Sequence, residues 1–206
     1  MPGRRNYRRG LKPPICGKYA NGFYLTGMGC PIRSEIWGMI APGNSDLAAS
    51  YAYKDGILDH EGESVWAEQF LSAIEALAFF EDDLNVLVES GLKYVPRDSV
   101  LYQCIYEAKK CYESGIPWQE TWKRLRDNYG HPDCTYAPQN LGIIIMALFY
   151  GEKDFEKTLT IAVNSAWDVD CTCSTTAALL GIITGYNAFD EKWLKYIGDE
   201  IVTLAR

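Results

Sequence analysis

Two carboxylates, Asp168 and Asp170, stand two residues apart in the stretch Asn164–Gly181 (NSAWDVDCTCSTTAALLG). Cys171, Thr172, Ser174, Thr175 and Thr176 follow at once and open a helical pattern. Hard oxygen donors this closely spaced at a helix N-terminus can hold Mg²⁺ or Mn²⁺, which favour carboxylate, hydroxyl and water ligands. The competing explanation is helix capping, with Asp170 as the cap and Asp168 facing water. Spacing alone leaves capping ahead. The apolar neighbours on both sides (Leu159, Ile161, Ala162, Val163 before; Ala177, Ala178, Leu179, Leu180 after) weigh toward ligation, because a surface cap needs neither.

Three other places could do chemistry. The loop Phe23–Arg33 (FYLTGMGCPIR) carries Gly27 and Gly29, which permit close backbone approach and leave amides for phosphate or ribose oxygens. Two glycines in a loop are, by themselves, ordinarily a turn. His60, in Leu58-Asp59-His60-Glu61-Gly62, is one of only two histidines, the other being His131. A lone histidine is more often a polar helix end than a site. In Thr135–Asn140 (TYAPQN), Gln139 and Asn140 open the most apolar helix, where capping again competes with ligand contact.

The elements that must position these residues read as helices throughout. Asn44 or Ser45 can cap a helix through Leu47, Ala48, Tyr51 and Ala52. Apolar residues at helical spacing mark 64–81, 82–90, 99–113, 118–129, 139–150, 154–166, 171–185 and 190–205. Gly91, Gly115 and Gly130 end three of them, and Pro117 opens one. The segment 139–150 is nearly all apolar and is expected at the centre. No alternating strand pattern of useful length occurs, so the expected fold is a single all-α helix bundle.

Composition narrows the function. Hydrophobic residues make up 48 % and charged residues 23 % of the 206, enough for a packed core. A net charge of −7 argues against general nucleic-acid binding, which needs a basic face. The longest apolar run, Leu141–Tyr150, is half the ~20 residues that span a bilayer, so no membrane role is expected. Seven cysteines include no CxxC pair, and Cys171 and Cys173 lack a second pair for zinc. They read as reduced thiols of a cytoplasmic protein. Residues 1–14, with Arg4, Arg5, Arg8, Arg9 and Lys12 ahead of Pro13-Pro14, read as a basic, loosely ordered segment before a domain at 15–206.

In series, these pieces resemble the ADP-ribosylglycohydrolase family. Asn164–Gly181 resembles its C-terminal signature of aspartate, any residue, aspartate, a Thr, Ser or Cys, and a small-residue helix ending in Gly. Gly29-Cys30-Pro31-Ile32-Arg33 resembles its glycine-rich substrate loop, and Ser34–Gly38 with Ala41-Pro42-Gly43 the segment that follows in a bacterial branch. Leu58-Asp59-His60 resembles its Leu-Thr/Ser-His, and Tyr150–Phe155 the stretch before the last signature.

The resemblance implies a compact orthogonal bundle of that family's type and hydrolysis of an ADP-ribosyl or related ribosyl glycosidic bond, with Mg²⁺ or Mn²⁺ assisting water attack. It implies Asp168 and Asp170 as catalytic metal ligands, joined by Cys171 where many members have a hydroxyl residue. Gly27, Met28, Gly29 and His60 would contact the ADP-ribose of an ADP-ribosylated substrate. The family's N-terminal glutamate and Gly-Asp-Asp-Thr-like cluster has no counterpart here. The expectation is therefore a C-terminal portion without the N-terminal helices: either a fragment or truncated product, or a chain whose missing half a partner chain supplies. The alternative is a catalytically silent member serving as a structural or ADP-ribose-binding module.

Overall fold

The computed structural model describes residues 2–22 and 24–197. Twelve α-helices occupy the described residues in chain order: α1 (Pro2–Arg8), α2 (Ile15–Lys18), α3 (Ser34–Ile40), α4 (Ser45–Gly56), α5 (Glu63–Ala78), α6 (Leu84–Gly91), α7 (Val100–Glu113), α8 (Trp118–Tyr129), α9 (Ala137–Gly151), α10 (Phe155–Asn164), α11 (Val169–Thr184) and α12 (Glu191–Ile197). No strand occurs among them, so the all-α expectation holds. The helix expected over 190–205 is present to Ile197, and its remainder, like Phe23, lies outside the described residues. The basic segment holds a helix, α1, that its composition did not announce. There Asn6 donates through Nδ2 to the carbonyls of Cys16 (3.0 Å) and Tyr19 (2.6 Å).

Local chemistry sets the helix starts. Side-chain oxygens of Asn44, Asp83, Ser99 and Asp154 accept from the amides of Leu47, Asn85, Tyr102 and Lys157, so each fills a donor left open at a first turn. Gly115, with φ +69°, takes the left-handed conformation that closes α7 before Pro117 opens α8.

Two helices form the centre. Every residue of α9 except Tyr150 is buried, which is what a helix apolar on all sides requires. It packs on α7 so closely that a Cβ at Gly142 would lie 2.4 Å from Cys104 Sγ. Helix α5 is buried along most of its length and packs on α3 and α4, where Ala48, Ala49 and Ala52 supply a thin contact face. Phe70, Leu71, Ile74, Leu87, Leu101, Ile105, Leu125, Leu141 and Ile144 fill the space between. Helices α10 and α11 close the bundle against α9 and carry the Asp168–Asp170 segment to one end of it. No helix among the described residues is long and apolar enough to cross a membrane.

Candidate functional site

The turn between α10 and α11 brings the two aspartates to the surface of this core. Ala166 (φ 60°) and Trp167 (φ 66°) are both left-handed, a costly conformation for side-chain-bearing residues. Trp167 Nε1 donates to the His131 carbonyl (3.2 Å), and Trp122 Nε1 to the Ser165 carbonyl (2.8 Å), fixing the turn from both sides. Asn140, fully buried in the first turn of α9, holds its end. Its Oδ1 accepts from the Asp168 amide (3.3 Å), while Nδ2 donates to the carbonyls of Cys134 (2.8 Å) and Tyr136 (2.9 Å). Gln139 works on the loop instead, accepting from the His131 amide (3.1 Å).

This geometry reverses the capping assignment. Asp168, not Asp170, stands at the N-cap position of α11, and its carboxylate makes no capping hydrogen bond of ordinary geometry. Asp168 is the buried member, 8 % exposed, and Asp170 is exposed in the first helical turn. One ligand atom from each of Asp168, Asp170 and Cys171 can be chosen so that all lie within 4.8 Å of one another. Burial, then the Asp170 carboxylate, push the Asp168 carboxyl above its ordinary value, and the nearby Cys171 thiol and amide offset part of this. The Cys171 thiol is itself pushed up to about 12, first by burial and then by Asp168.

The aspartates open onto a cavity of about 370 Å³. Asp168, Asp170, Cys171, Gly27, Met28, Gly29 and His60 all line it, so every residue that the family resemblance implies for the site meets in one place. Asn21, Tyr24, Ile32, Asp59 and Thr135 complete the wall. The glycine loop is held there by backbone pairing: Met28 N donates to Thr135 O (2.7 Å) and Ala137 N to Thr26 O (2.8 Å), around an antiparallel bridge between Gly27 and Tyr136. The Met28 amide is thereby engaged, which removes it from the amides expected to be open to a ligand. Ser64 Oγ donates to Gly27 O (2.6 Å) and tethers the loop to α5.

A second layer of charge lies behind the loop. Arg33 donates through Nε to Asp55 (2.5 Å), through Nη2 to Asp59 Oδ1 (3.1 Å), and through Nη1 to Gly29 O (2.8 Å). Asp59 Oδ1 also meets His60 Nδ1 at 2.7 Å. Deeper still, Glu68 accepts from Cys30 Sγ (2.6 Å) and Trp37 Nε1 (2.9 Å), and burial raises its carboxyl to about 8. Glu75 is wholly buried; Ser34 Oγ donates to its Oε1 (2.9 Å), its Oε2 has no partner, and burial raises it well above the carboxylate range. Asp59 and Arg33 had a signal in the sequence, since they flank His60 and close the glycine loop. Tyr24 and Ile32 lie within the loop singled out for its glycines; Asn21 had no signal.

Comparison with protein families matched the chain over residues 2–206 to the family described as ADP-ribosylglycohydrolase. Comparisons with curated proteins and with solved structures returned no match. The matched family acts on ADP-ribosylated substrates and is in general metal-dependent. The match spans essentially the whole chain and agrees with the all-α architecture: the chain belongs to the ADP-ribosylglycohydrolase family.

Proposed function

We propose that the chain is a hydrolase of an ADP-ribosyl or related ribosyl glycosidic bond, with Asp168 and Asp170 holding Mg²⁺ or Mn²⁺ at the mouth of the 370 Å³ cavity. The observation that carries this reading is convergence. Residues from the 27–29 loop, from His60 and from the 168–171 turn, far apart in sequence, line one cavity large enough for a small-molecule ligand.

The donor set fits such an ion. Mg²⁺ commonly takes one or two carboxylates and keeps water or substrate oxygens in its other positions, so two aspartates suffice as protein ligands. Burial first, and the neighbouring Asp170 carboxylate after it, raise the Asp168 carboxyl, and a cation between the two would offset both. Cys171 is the weakest of the three as a ligand, because a thiol is softer than a carboxylate and suits Mg²⁺ poorly. We assign it to hydrogen bonding with Asp168. A bound ion would polarise water and ribose hydroxyls for attack at the anomeric carbon. The chain's own groups supply placement: the Gly29 amide, unengaged by any described residue, and His60 face the ligand, while Met28 and Ile32 give the wall apolar surface.

One observation favours the silent, ADP-ribose-binding reading as a second. Glycoside cleavage ordinarily uses two carboxyl groups with separate duties. Asp59, the remaining carboxylate of the described cavity wall, is tied to Arg33 and His60.

Calorimetry with MgCl₂ and MnCl₂ tests the metal claim. Binding should be lost in Asp168→Ala, and wild-type heats that persist unchanged in that variant would remove the site. A panel of ADP-ribosyl-arginine, ADP-ribosyl-serine peptide and free nucleosides tests the activity. Binding of ADP-ribose without turnover of any panel member would favour the module.

A further inference from the structure

The pair Asp59–His60 has a consequence for which atom the cavity wall offers its ligand. The ring of His60 is 6 % exposed and makes one hydrogen bond among the described residues, through Nδ1 to Asp59 Oδ1 at 2.7 Å. Its other edge lies on the side of Gly29, and both residues line the cavity: a Cβ at Gly29 would lie 3.4 Å from Nε2 and 3.5 Å from Cε1. Asp59 is in turn gripped by Arg33, whose Nη2 donates to the same Oδ1 at 3.1 Å and whose Nη1 lies 3.4 Å from Oδ2. Arg33 also holds Gly29 O, so the carboxylate, the imidazole and the rim glycine form one braced unit.

We propose that Asp59 is a positioning residue that fixes the proton of His60 on Nδ1, so that Nε2 presents a lone pair to the cavity and accepts a hydrogen bond from a hydroxyl of the bound ligand. An ionised carboxylate only accepts hydrogen bonds, so the imidazole nitrogen against it must donate. Burial would raise the Asp59 carboxyl, but the hydrogen bonds from His60 and Arg33 outweigh it and hold the group below its ordinary value, ionised at neutral pH. Neutral imidazole carries one N–H, and with that on Nδ1 the cavity-facing nitrogen is an acceptor. An acceptor there disfavours a phosphate oxygen and selects a hydroxyl donor. The wall at His60 is thus suited to the sugar of an ADP-ribosyl group and not to its diphosphate. This ligand assignment rests on the ADP-ribose reading above; the tautomer rests on the Asp59–His60 contact and the ionised Asp59 carboxylate.

The chain has two histidines, so imidazole nitrogen spectroscopy on the ¹⁵N-labelled full chain is simple. His60→Gln assigns the signals. At a pH about two units above the ordinary histidine value of ~6.5, His60 should show a protonated-type shift at Nδ1 and an unprotonated-type shift at Nε2. A proton on Nε2, alone or with one on Nδ1, would overturn the proposal. Asp59→Ala should abolish the Nδ1–H preference. Asp55→Ala removes another carboxylate of Arg33 without touching His60, and should leave the preference intact. Equal loss in both variants would mean that Asp59 only braces the loop. Should Asp59→Ala not fold, the wild-type and Asp55→Ala spectra still decide the tautomer. Added ADP-ribose should shift Nε2 in the direction of an accepted hydrogen bond and leave Nδ1 in place. Protonation of Nε2 by the ligand would overturn the hydroxyl assignment. No binding at all would overturn the ADP-ribose reading and leave the tautomer standing.

Discussion

Asn140→Ala is expected to damage both the stability of the chain and its metal site. The wild-type side chain is completely buried and makes three hydrogen bonds, two as donor and one as acceptor. Their losses are unequal. The Cys134 carbonyl belongs to an exposed residue and can turn to water. The Tyr136 carbonyl keeps the Asn140 amide at 3.3 Å. The Asp168 amide sits at a buried helix start and loses its partner outright, a desolvation cost of about 1–3 kcal/mol. Adding the void left by a carboxamide brings the whole to about 2–3 kcal/mol. For a chain of this length that is a fall in Tm on the order of 5–10 °C. Urea denaturation followed by tryptophan fluorescence and circular dichroism measures it. Asn140→Asp should cost at least as much, because it sets a carboxylate oxygen in place of Nδ2 against the Cys134 and Tyr136 carbonyl oxygens. With Asp168 no longer anchored, the left-handed residues before it are free to relax, and Mg²⁺ affinity of the folded variant should fall roughly tenfold or more, about 1.4 kcal/mol. A stability change under about 0.5 kcal/mol together with an unchanged Mg²⁺ titration would refute the claim that Asn140 holds the turn.

Other perturbations follow from the same structure. Glu75 has its carboxyl raised by burial, so the folded chain keeps a proton that the unfolded chain releases above pH ~4.3; stability should therefore fall with rising pH, by up to ~1.4 kcal/mol per unit, until the folded form ionises. Glu75→Gln should lessen that slope in urea midpoints taken between about pH 4 and about pH 8, leaving the share that Glu68 contributes, and an unchanged slope would place the proton elsewhere. Gly142→Ala forces a methyl against Cys104 Sγ where α7 crosses α9, and should cost about 1–3 kcal/mol in the same assay. Ala166→Gly relieves a left-handed residue of about 1–2 kcal/mol of strain against an entropic cost of about 0.5–1, so a small gain in Tm is expected and a loss would argue against strain at that turn.

Much of the fold is legible in the order of residues, because its punctuation is chemical. Asn44, Asp83, Ser99 and Asp154 stand where helix starts need oxygen acceptors, and Gly115 and Pro117 mark a stop and a start. The residues that meet at the cavity are also legible as an ordered series, although periodicity says nothing about their convergence. The 164–170 turn is where sequence reasoning misleads. A capping argument assumes the chain enters the helix in the usual way, and two successive left-handed residues there bury Asp168 and expose Asp170 instead. Glu68 and Glu75 are hidden for a different reason. Seven residues apart, they share one face of α5 and look like its solvent side until α3 is laid over them, with Trp37 and Ser34 as partners.

The short ribbon joining Gly27 to Tyr136 carries a consequence for how the chain becomes competent. It is a backbone pairing between segments about 110 residues apart, and closing a loop of that length costs about 4 kcal/mol of chain entropy on a simple polymer estimate. No local segment can recover that alone. The wall formed by Gly27 and Thr135 therefore exists only once the intervening helices have assembled around α9. Occupancy of the cavity would report completion of folding, and ligand added to a folding chain should act on the last step and not on the first.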